Sequence, residues 1–294
     1  MLAAGHSVMA VYTQPDRPKG RGQEVAMSAV KEAALAAGLE VRQPVKVRVP
    51  EVVEELRALA PEVMVVVGYG QLIPQSIIDI PKHGIINVHG SLLPKYRGAG
   101  PIQWAIANGE SESGVTTMRI NAGLDTGDML LKAVLPIGQD ENAVEYGERL
   151  AVLGADLLVE TLAGLDAGTI IPERQNDAEA THAPILTKAD GVVDWNWPAA
   201  KIHNRTRGFY AWPGSSAKFR GQGVRIWKTR VATGTGLPGI GLPGTVLGAK
   251  GPLVVACGEG TAIELVELQA EGRKRVSGAD FRNGMRVAEN ERFE

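Results

Sequence analysis

Cysteine is almost missing from this chain: Cys257 is the only one among 294 residues. No disulfide can form within such a chain, and cysteine-based metal clusters are excluded, so a reducing compartment is the expected setting. Long apolar runs are also missing, none approaching the ~18–20 residues that a bilayer-spanning helix needs. The opening Met1-Leu2-Ala3-Ala4-Gly5-His6 has neither a basic segment nor a long apolar one, and does not read as a secretory signal. A cytoplasmic protein without a membrane partner is therefore expected. Positive charge is not in excess: 31 Lys and Arg against 33 Asp and Glu give a formal net charge of −2, which argues against a general nucleic-acid coat. Contact with nucleic acid, if any, must be local. Arg17, Lys19 and Arg21 in one loop, and Arg273, Lys274 and Arg275 near the C-terminus, could supply it; taken alone, short runs of this kind are more often solvated surface. No internal repeat is visible.

What is present is the composition of an ordinary globular protein, 44% hydrophobic and 22% charged, with a length that suggests two domains. Strands are expected at Val8–Thr13, Leu39–Arg42, Glu62–Gly68, Gly84–Val88, Gly114–Ile120 and Asp128–Ile137. Helices are expected at Ala26–Gly38, Pro50–Ala60, Pro74–Ile78, Gly100–Asn108 and Asn142–Ala167, and Gln14–Gly22 reads as a Pro- and Gly-rich loop. Glu62–Gly68 is β-branched and apolar after its first residue, as suits a strand buried on both faces. The alternation predicts an open, mainly parallel α/β sheet. Thr169–Thr187 has little periodicity and reads as a linker. Beyond it come a helix at Ala200–Thr206 and short strands at Ser215–Phe219, Gly223–Thr229, Gly244–Ala249, Pro252–Ala256 and Ala262–Gln269, which predict a small β-barrel.

The chemistry-bearing residues lie in Asn87-Val88-His89-Gly90-Ser91-Leu92-Leu93-Pro94 and Gly123-Leu124-Asp125-Thr126-Gly127-Asp128. On a strand, Asn87 and His89 point to the same face, where the strand gives way to a loop. An open α/β sheet binds its ligands at such strand ends. An amide can hold a developing oxyanion, an imidazole can move protons, and a carboxylate such as Asp125 can keep the imidazole charged. The set suits acyl transfer to an amine and calls for no metal. Trp195, Trp197, Trp212 and Trp227 fall in the C-terminal half and are expected to serve packing before base stacking.

These two segments, together with Arg97-Gly98-Ala99-Gly100-Pro101-Ile102 and Met129, resemble the 10-formyltetrahydrofolate-dependent formyltransferases. Thr13-Gln14-Pro15-Asp16-Arg17-Pro18-Lys19-Gly20-Arg21-Gly22, Asp194-Trp195 and Trp212-Pro213-Gly214 narrow the likeness to the members that act on methionyl-tRNA. The resemblance implies a Rossmann-like catalytic domain at 1–170, a linker at 171–189 and an OB-like tRNA-binding domain at 190–294. It implies Asn87, His89 and Asp125 as the catalytic trio. Folate would lie against Gly68, Tyr69, Gly70, Leu72, Ser91, Leu92, Leu93 and Pro94, with Gln71 in the same stretch. Arg21 matches the family's key arginine for the tRNA acceptor end, supported by Arg17 and Lys19; Lys250, Arg273, Lys274 and Arg275 could touch the tRNA backbone. The implied partners are 10-formyltetrahydrofolate and initiator methionyl-tRNA, and a monomer is expected.

One departure stands out. The family's opening strand, Gly-Thr-Pro-bearing turn and helix have no match in this sequence, and that strand belongs beside Val8–Thr13 and Glu62–Gly68. The expectation is that the chain is read from an internal Met1 and, by itself, folds poorly and is weakly active. Two other enzymes share the trio. A 10-formyltetrahydrofolate hydrolase gives no reason for the Arg17–Arg21 loop, and the Gln14–Gly22 and Trp212-Pro213 segments argue against a sugar-nucleotide N-formyltransferase. A non-enzymatic tRNA-binding module would keep its RNA affinity without Asn87 and His89.

Overall fold

The structure, a computed structural model, describes residues 1–19, 24–232 and 241–294. In chain order its first elements are β1 (Val11–Tyr12), β2 (Arg17–Lys19), β3 (Glu24–Ala26), α1 (Ala29–Ala36), β4 (Val41–Arg42), α2 (Pro50–Leu59), β5 (Met64–Val66), α3 (Gln75–Ile78) and β6 (Ile85–His89). There follow β7 (Arg97–Gly98), α4 (Pro101–Ala107), β8 (Glu112–Arg119), β9 (Met129–Pro136), α5 (Ala143–Asp166) and β10 (His182–Ala183). The remaining elements are α6 (Ala199–Gly208), β11 (Ser215–Phe219), β12 (Gln222–Val231), β13 (Val246–Leu247), β14 (Val254–Ala256), β15 (Ala262–Ala270), β16 (Val276–Ser277) and α7 (Gly278–Met285). The helices start where their sequences say they should: the Ser28 side chain caps α1 through Lys31 N, and Pro50 occupies the first turn of α2, where its missing N–H costs nothing. The chain divides into two compact units. One holds Met1–Arg97, Gly114–Ala133 and Ala151–Thr181; the other holds Gly98–Ser113, Val134–Leu150 and His182–Glu294.

In the first unit β5, β6, β8 and β9 form a sheet in that order. The period-2 alternation of β5 and β6 sorts their side chains between two cores. Met64, Val66 and Ile85 pack with Val53 and Leu56 of α2 and Ile77 of α3, whereas Val65, Ile86 and Val88 pack with Leu158 and Leu162 of α5. Helices thus cover both faces, the Rossmann-like arrangement. The sheet itself is mixed rather than mainly parallel: β5 and β6 run parallel, β6 and β8 antiparallel.

Two local expectations change. The stretch read as a loop at Gln14–Gly22 holds one strand of an antiparallel ribbon, in which Arg17 pairs with Ala26 and Lys19 with Glu24; Pro18 is tolerated because a two-stranded ribbon is all edge. β5 is half-buried rather than enclosed, and Val67 just beyond it is 63% exposed, because β5 ends the sheet order. β1 pairs with β4 alone and β5 with β6 alone, so no described strand occupies the position expected between them.

In the second unit β11, β12, β15, β14 and β13 follow one another, with β16 beside β15. The C-terminal residues close this sheet. Phe293 bridges to Phe219 of β11 while Arg292 bridges to Thr245 ahead of β13, and Lys218 and Glu294 exchange two backbone hydrogen bonds of 2.8 Å. A single core of Trp195, Phe219, Ile226, Leu253, Ile263, Leu265, Phe281 and Phe293, among others, fills the resulting small barrel. α6 packs over β12 and against α4, and Gly208 permits the approach of those helices. The sequence reading anticipated neither β16 nor α7: both are short, and α7 carries glycine at Gly278 and Gly284.

Candidate active site

β6 ends at His89, and its register sets Asn87 opposite Val66 on one side and Met118 on the other. Asn87 and His89 share the face of Ile85. Asn87 is half-buried and His89 is buried. His89 Nε2 lies 2.9 Å from the Tyr96 carbonyl oxygen. A carbonyl can only accept, so Nε2 carries a proton and Nδ1 is the ring atom left for chemistry. Nδ1 faces Asp125 Oδ2 at 3.8 Å. The structure therefore brings together the imidazole and carboxylate that the sequence separates by 36 positions, a separation read from their numbers.

Asp125 sits in the turn between β8 and β9 with φ of 50°. Its loop is held from both sides. Gly127 approaches the Arg119 carbonyl so closely that a Cβ would lie 1.8 Å from the oxygen, which explains a glycine there. Asn121 Oδ1 accepts from Gly123 N at 3.0 Å and from Thr126 Oγ1 at 2.9 Å, closing the turn. Gln175, in the stretch read as a linker, donates through Nε2 to the carbonyls of Asp125 and Gly127, both at 2.8 Å. Sequence reasoning missed Gln175, since its segment carries no periodicity. It quoted Arg97 within a motif and gave it no role, although Arg97 is buried and donates to Gln175 Oε1 at 2.9 Å.

The Ser91–Pro94 turn packs beside the strand end. Ser91 is fully buried, its hydroxyl donating to Lys95 O at 2.6 Å, and Thr116 Oγ1 donates to Ser91 O at 2.7 Å while accepting from Leu93 N at 3.0 Å. Leu93 is buried with Met118 and Met129, so its side chain belongs to the core and it can offer a ligand only backbone. Leu92 and Pro94 are half-buried. After β5, Gly68 and Gly70 turn with φ of 55° and 75°, and Leu72 is 82% exposed. Gln71 is engaged with Val47 N and Pro44 O. The Tyr69 hydroxyl is buried without a partner, and burial pushes its pKa up; an orphaned donor of that kind is what a polar ligand group would satisfy.

Of the basic residues singled out, Arg17 is exposed on β2, and Lys19 ends that strand. Arg21 lies outside the described residues. Lys250, Arg273 and Lys274 are exposed in turns of the second unit. Arg275 is less free: it pairs with Glu267, reaches the Tyr210 hydroxyl at 3.3 Å and lies 4.9 Å from the Trp227 ring centroid. Arg225 lies over the same ring at 4.0 Å, a pairing absent from the sequence reading. Trp195 is core and Trp197 packs against it, whereas Trp212 is 52% exposed and does not serve the packing expected of it.

A profile described as formyl transferase matches residues 3–162, and one described as formyl transferase, C-terminal domain, matches residues 185–286. Methionyl-tRNA formyltransferase of Solibacter usitatus (strain Ellin6076) is 62% identical over 293 residues, covering 100% of this chain and 93% of that protein. The protein of the same name from Koribacter versatilis (strain Ellin345) is 54% identical over 288 residues, covering 97% and 90%. Among solved structures, an N-formyltransferase from Helicobacter canadensis in complex with folinic acid and dTDP-3-aminofucose matches with a TM-score of 0.63 at 18% identity, over 88% of this chain and 87% of that one. HypX from Aquifex aeolicus in complex with tetrahydrofolic acid matches at 0.59 and 20% identity, over 85% and 43%. At such identities the two solved structures speak to the fold.

Proposed function

This chain belongs to the formyltransferase family, and from that premise we propose that it transfers a formyl group from 10-formyltetrahydrofolate to the amino group of initiator methionyl-tRNA. The observation that supports the chemistry is the meeting of His89 Nδ1 and Asp125 Oδ2 at 3.8 Å beyond the end of β6, with Asn87 on the same face. The folate acts as co-substrate and supplies a formyl carbon bonded to N10. The methionyl amine adds to that carbon. As negative charge builds on the formyl oxygen, the Asn87 amide and the protonated His89 stabilise it. Asp125, through a water, helps take the proton from the amine. The bond from carbon to N10 then breaks, N10 takes up a proton, and formylated tRNA and tetrahydrofolate leave.

Nε2–H, donated to Tyr96 O, fixes the ring plane, so it is Nδ1–H that meets the developing charge. Tyr69, Leu72 and the backbone of Ser91–Pro94 bind the folate; the orphaned Tyr69 hydroxyl supports this assignment. Arg17, Lys19 and Arg21 address the acceptor end, where a guanidinium meets phosphate with two donors. Lys250, Arg273, Lys274 and Arg275 contact the tRNA backbone.

The test is formyl transfer from 10-formyltetrahydrofolate to charged initiator tRNA, with the chain and its Asn87→Ala, His89→Ala and Asp125→Ala variants. Loss of an oxyanion donor should lower kcat by ~10²–10³-fold. A chain that formylates an amino sugar nucleotide but not methionyl-tRNA, or variants that keep full rate, would refute the reading.

A further inference from the structure

Gln175 commits both of its N–H donors to the Asp125 loop. Its side chain is buried, at 5% exposure. Both Nε2 protons point at backbone carbonyls on that loop, Asp125 O and Gly127 O, each at 2.8 Å, and Oε1 accepts from Arg97 Nε at 2.9 Å. Arg97, also 5% exposed, is anchored in turn: Nη2 donates to Asp177 Oδ1 at 2.8 Å, and its backbone N–H donates to Thr181 O at 2.9 Å. The segment that carries Gln175 is tied to the foot of β9, where Met129 and Glu173 exchange two backbone hydrogen bonds of 2.8 Å. One amide thus links a fixed guanidinium to the two peptide groups that bracket the turn.

We infer that Gln175 is a positioning residue for the reaction, orienting the Asp125 carboxylate toward His89 by holding the carbonyls of Asp125 and Gly127, with Arg97 holding Gln175. The geometry favours placement over mere satisfaction of buried groups. Asp125 has φ of 50°, in the left-handed region that Asp adopts more readily than most L residues. The two donors of Gln175 hold the peptide planes on either side of Thr126. No other residue type offers two N–H donors and one acceptor from a single uncharged, planar head at the end of two methylenes. The inference rests on reading Asn87, His89 and Asp125 as the reacting groups.

Gln175→Met keeps length and bulk and removes all three bonds. Gln175→Glu keeps the acceptor toward Arg97 and sets a carboxylate oxygen against the two carbonyls. The full chain and both variants are compared by thermal melting and by steady-state formyl transfer, varying methionyl-tRNA and the formyl donor in turn. In a folded variant, kcat should fall by ~10–100-fold, as a small misplacement of a reacting group does, while both KM values stay within about threefold. Unchanged kcat in a folded variant overturns the inference, as does a rise in KM at constant kcat. Failure of both variants to fold also overturns it, because Gln175 would then serve stability. Asp125→Asn separates the two claims. If it keeps full rate, the trio reading itself is wrong; if it is crippled while Gln175→Met is not, only the role of Gln175 is lost.

Discussion

Gly127→Ala asks how much of the activity depends on the close fit of the Asp125 loop against β8. Gly127 is not among the positive-φ glycines, so alanine meets no backbone penalty there and the effect is steric. Its Cβ would lie 1.8 Å from Arg119 O and 2.9 Å from the Arg119 carbonyl carbon. A carbon and a carbonyl oxygen approach to about 3.3 Å at closest, so loop and strand must part by about 1.5 Å. Arg119 is paired with Ile86 of β6, so the loop yields and takes Asp125 with it. A 1 Å error in a catalytic group costs about 10²-fold, and kcat should fall by about that factor with KM little changed. Overpacking should cost about 1–3 kcal/mol, offset by about 0.4–1 kcal/mol from the stiffer unfolded chain. The melting point should drop by a few degrees, at about 2–4 °C per kcal/mol. Gly123→Ala is the internal comparison. Its Cβ would meet Thr126 Oγ1 at 2.1 Å, the end of a side chain that can rotate away. The loss is then the Thr126–Asn121 hydrogen bond, about 1 kcal/mol, and at most a few-fold in kcat. The assay is saturation kinetics of formyl transfer beside a thermal melt. A Gly127→Ala enzyme with wild-type kcat, or one no worse than Gly123→Ala, refutes the reasoning.

Gly208→Ala should destabilise the second unit. Its Cβ would sit 2.7 Å from Ala107 N and from Gln103 O, and about 1–3 kcal/mol of overpacking exceeds the gain in helix propensity of at most ~1 kcal/mol; a melting point at or above wild type would count against this. Burial holds the His203 imidazole below its usual pKa, with Arg207 acting in the same direction and Asp140 and the Gln139 and Thr229 contacts opposing. The unfolded chain therefore binds the proton more tightly than the folded one, so the contribution of His203 is complete above about pH 6.5 and is lost as the pH falls below it. Denaturant titrations between pH 5 and 7.5 should show a shallower acid loss in His203→Gln, and parallel curves would exclude the effect. Burial pushes the Cys257 thiol up to about 12, so a thiol reagent at pH 8 should leave it unmodified in the native protein and label it in denaturant.

Much of the architecture was legible because it is local. The two-residue spacing at the end of an apolar run puts Asn87 and His89 on one face of β6, and Ser215–Phe219 and the start of α2 at Pro50 fall where their patterns place them. The ribbon at β2 and β3 was not legible, since Pro18 and the charged residues around it mask a pairing that exists only in register. The mixed sheet was hidden for the same kind of reason: strand direction is set by which strands become neighbours, and β8 enters beside β6 from the opposite sense.

The candidate site divides along the same line. Residue chemistry and spacing pointed to side chains suited to acyl transfer to an amine: an amide and an imidazole two apart at a strand end, and a carboxylate in a glycine-flanked turn. That much is carried by bonds along the chain and by the geometry of a single strand. Tertiary structure alone decided that the Asp125 turn folds back to within 3.8 Å of His89, that Tyr96 O fixes which ring nitrogen faces it, and that Gln175, 50 positions from Asp125, holds the turn. These are contacts between segments far apart in sequence. They arise from the register of β6 on β8 and from the return of the chain past β9, which no short-range pattern encodes.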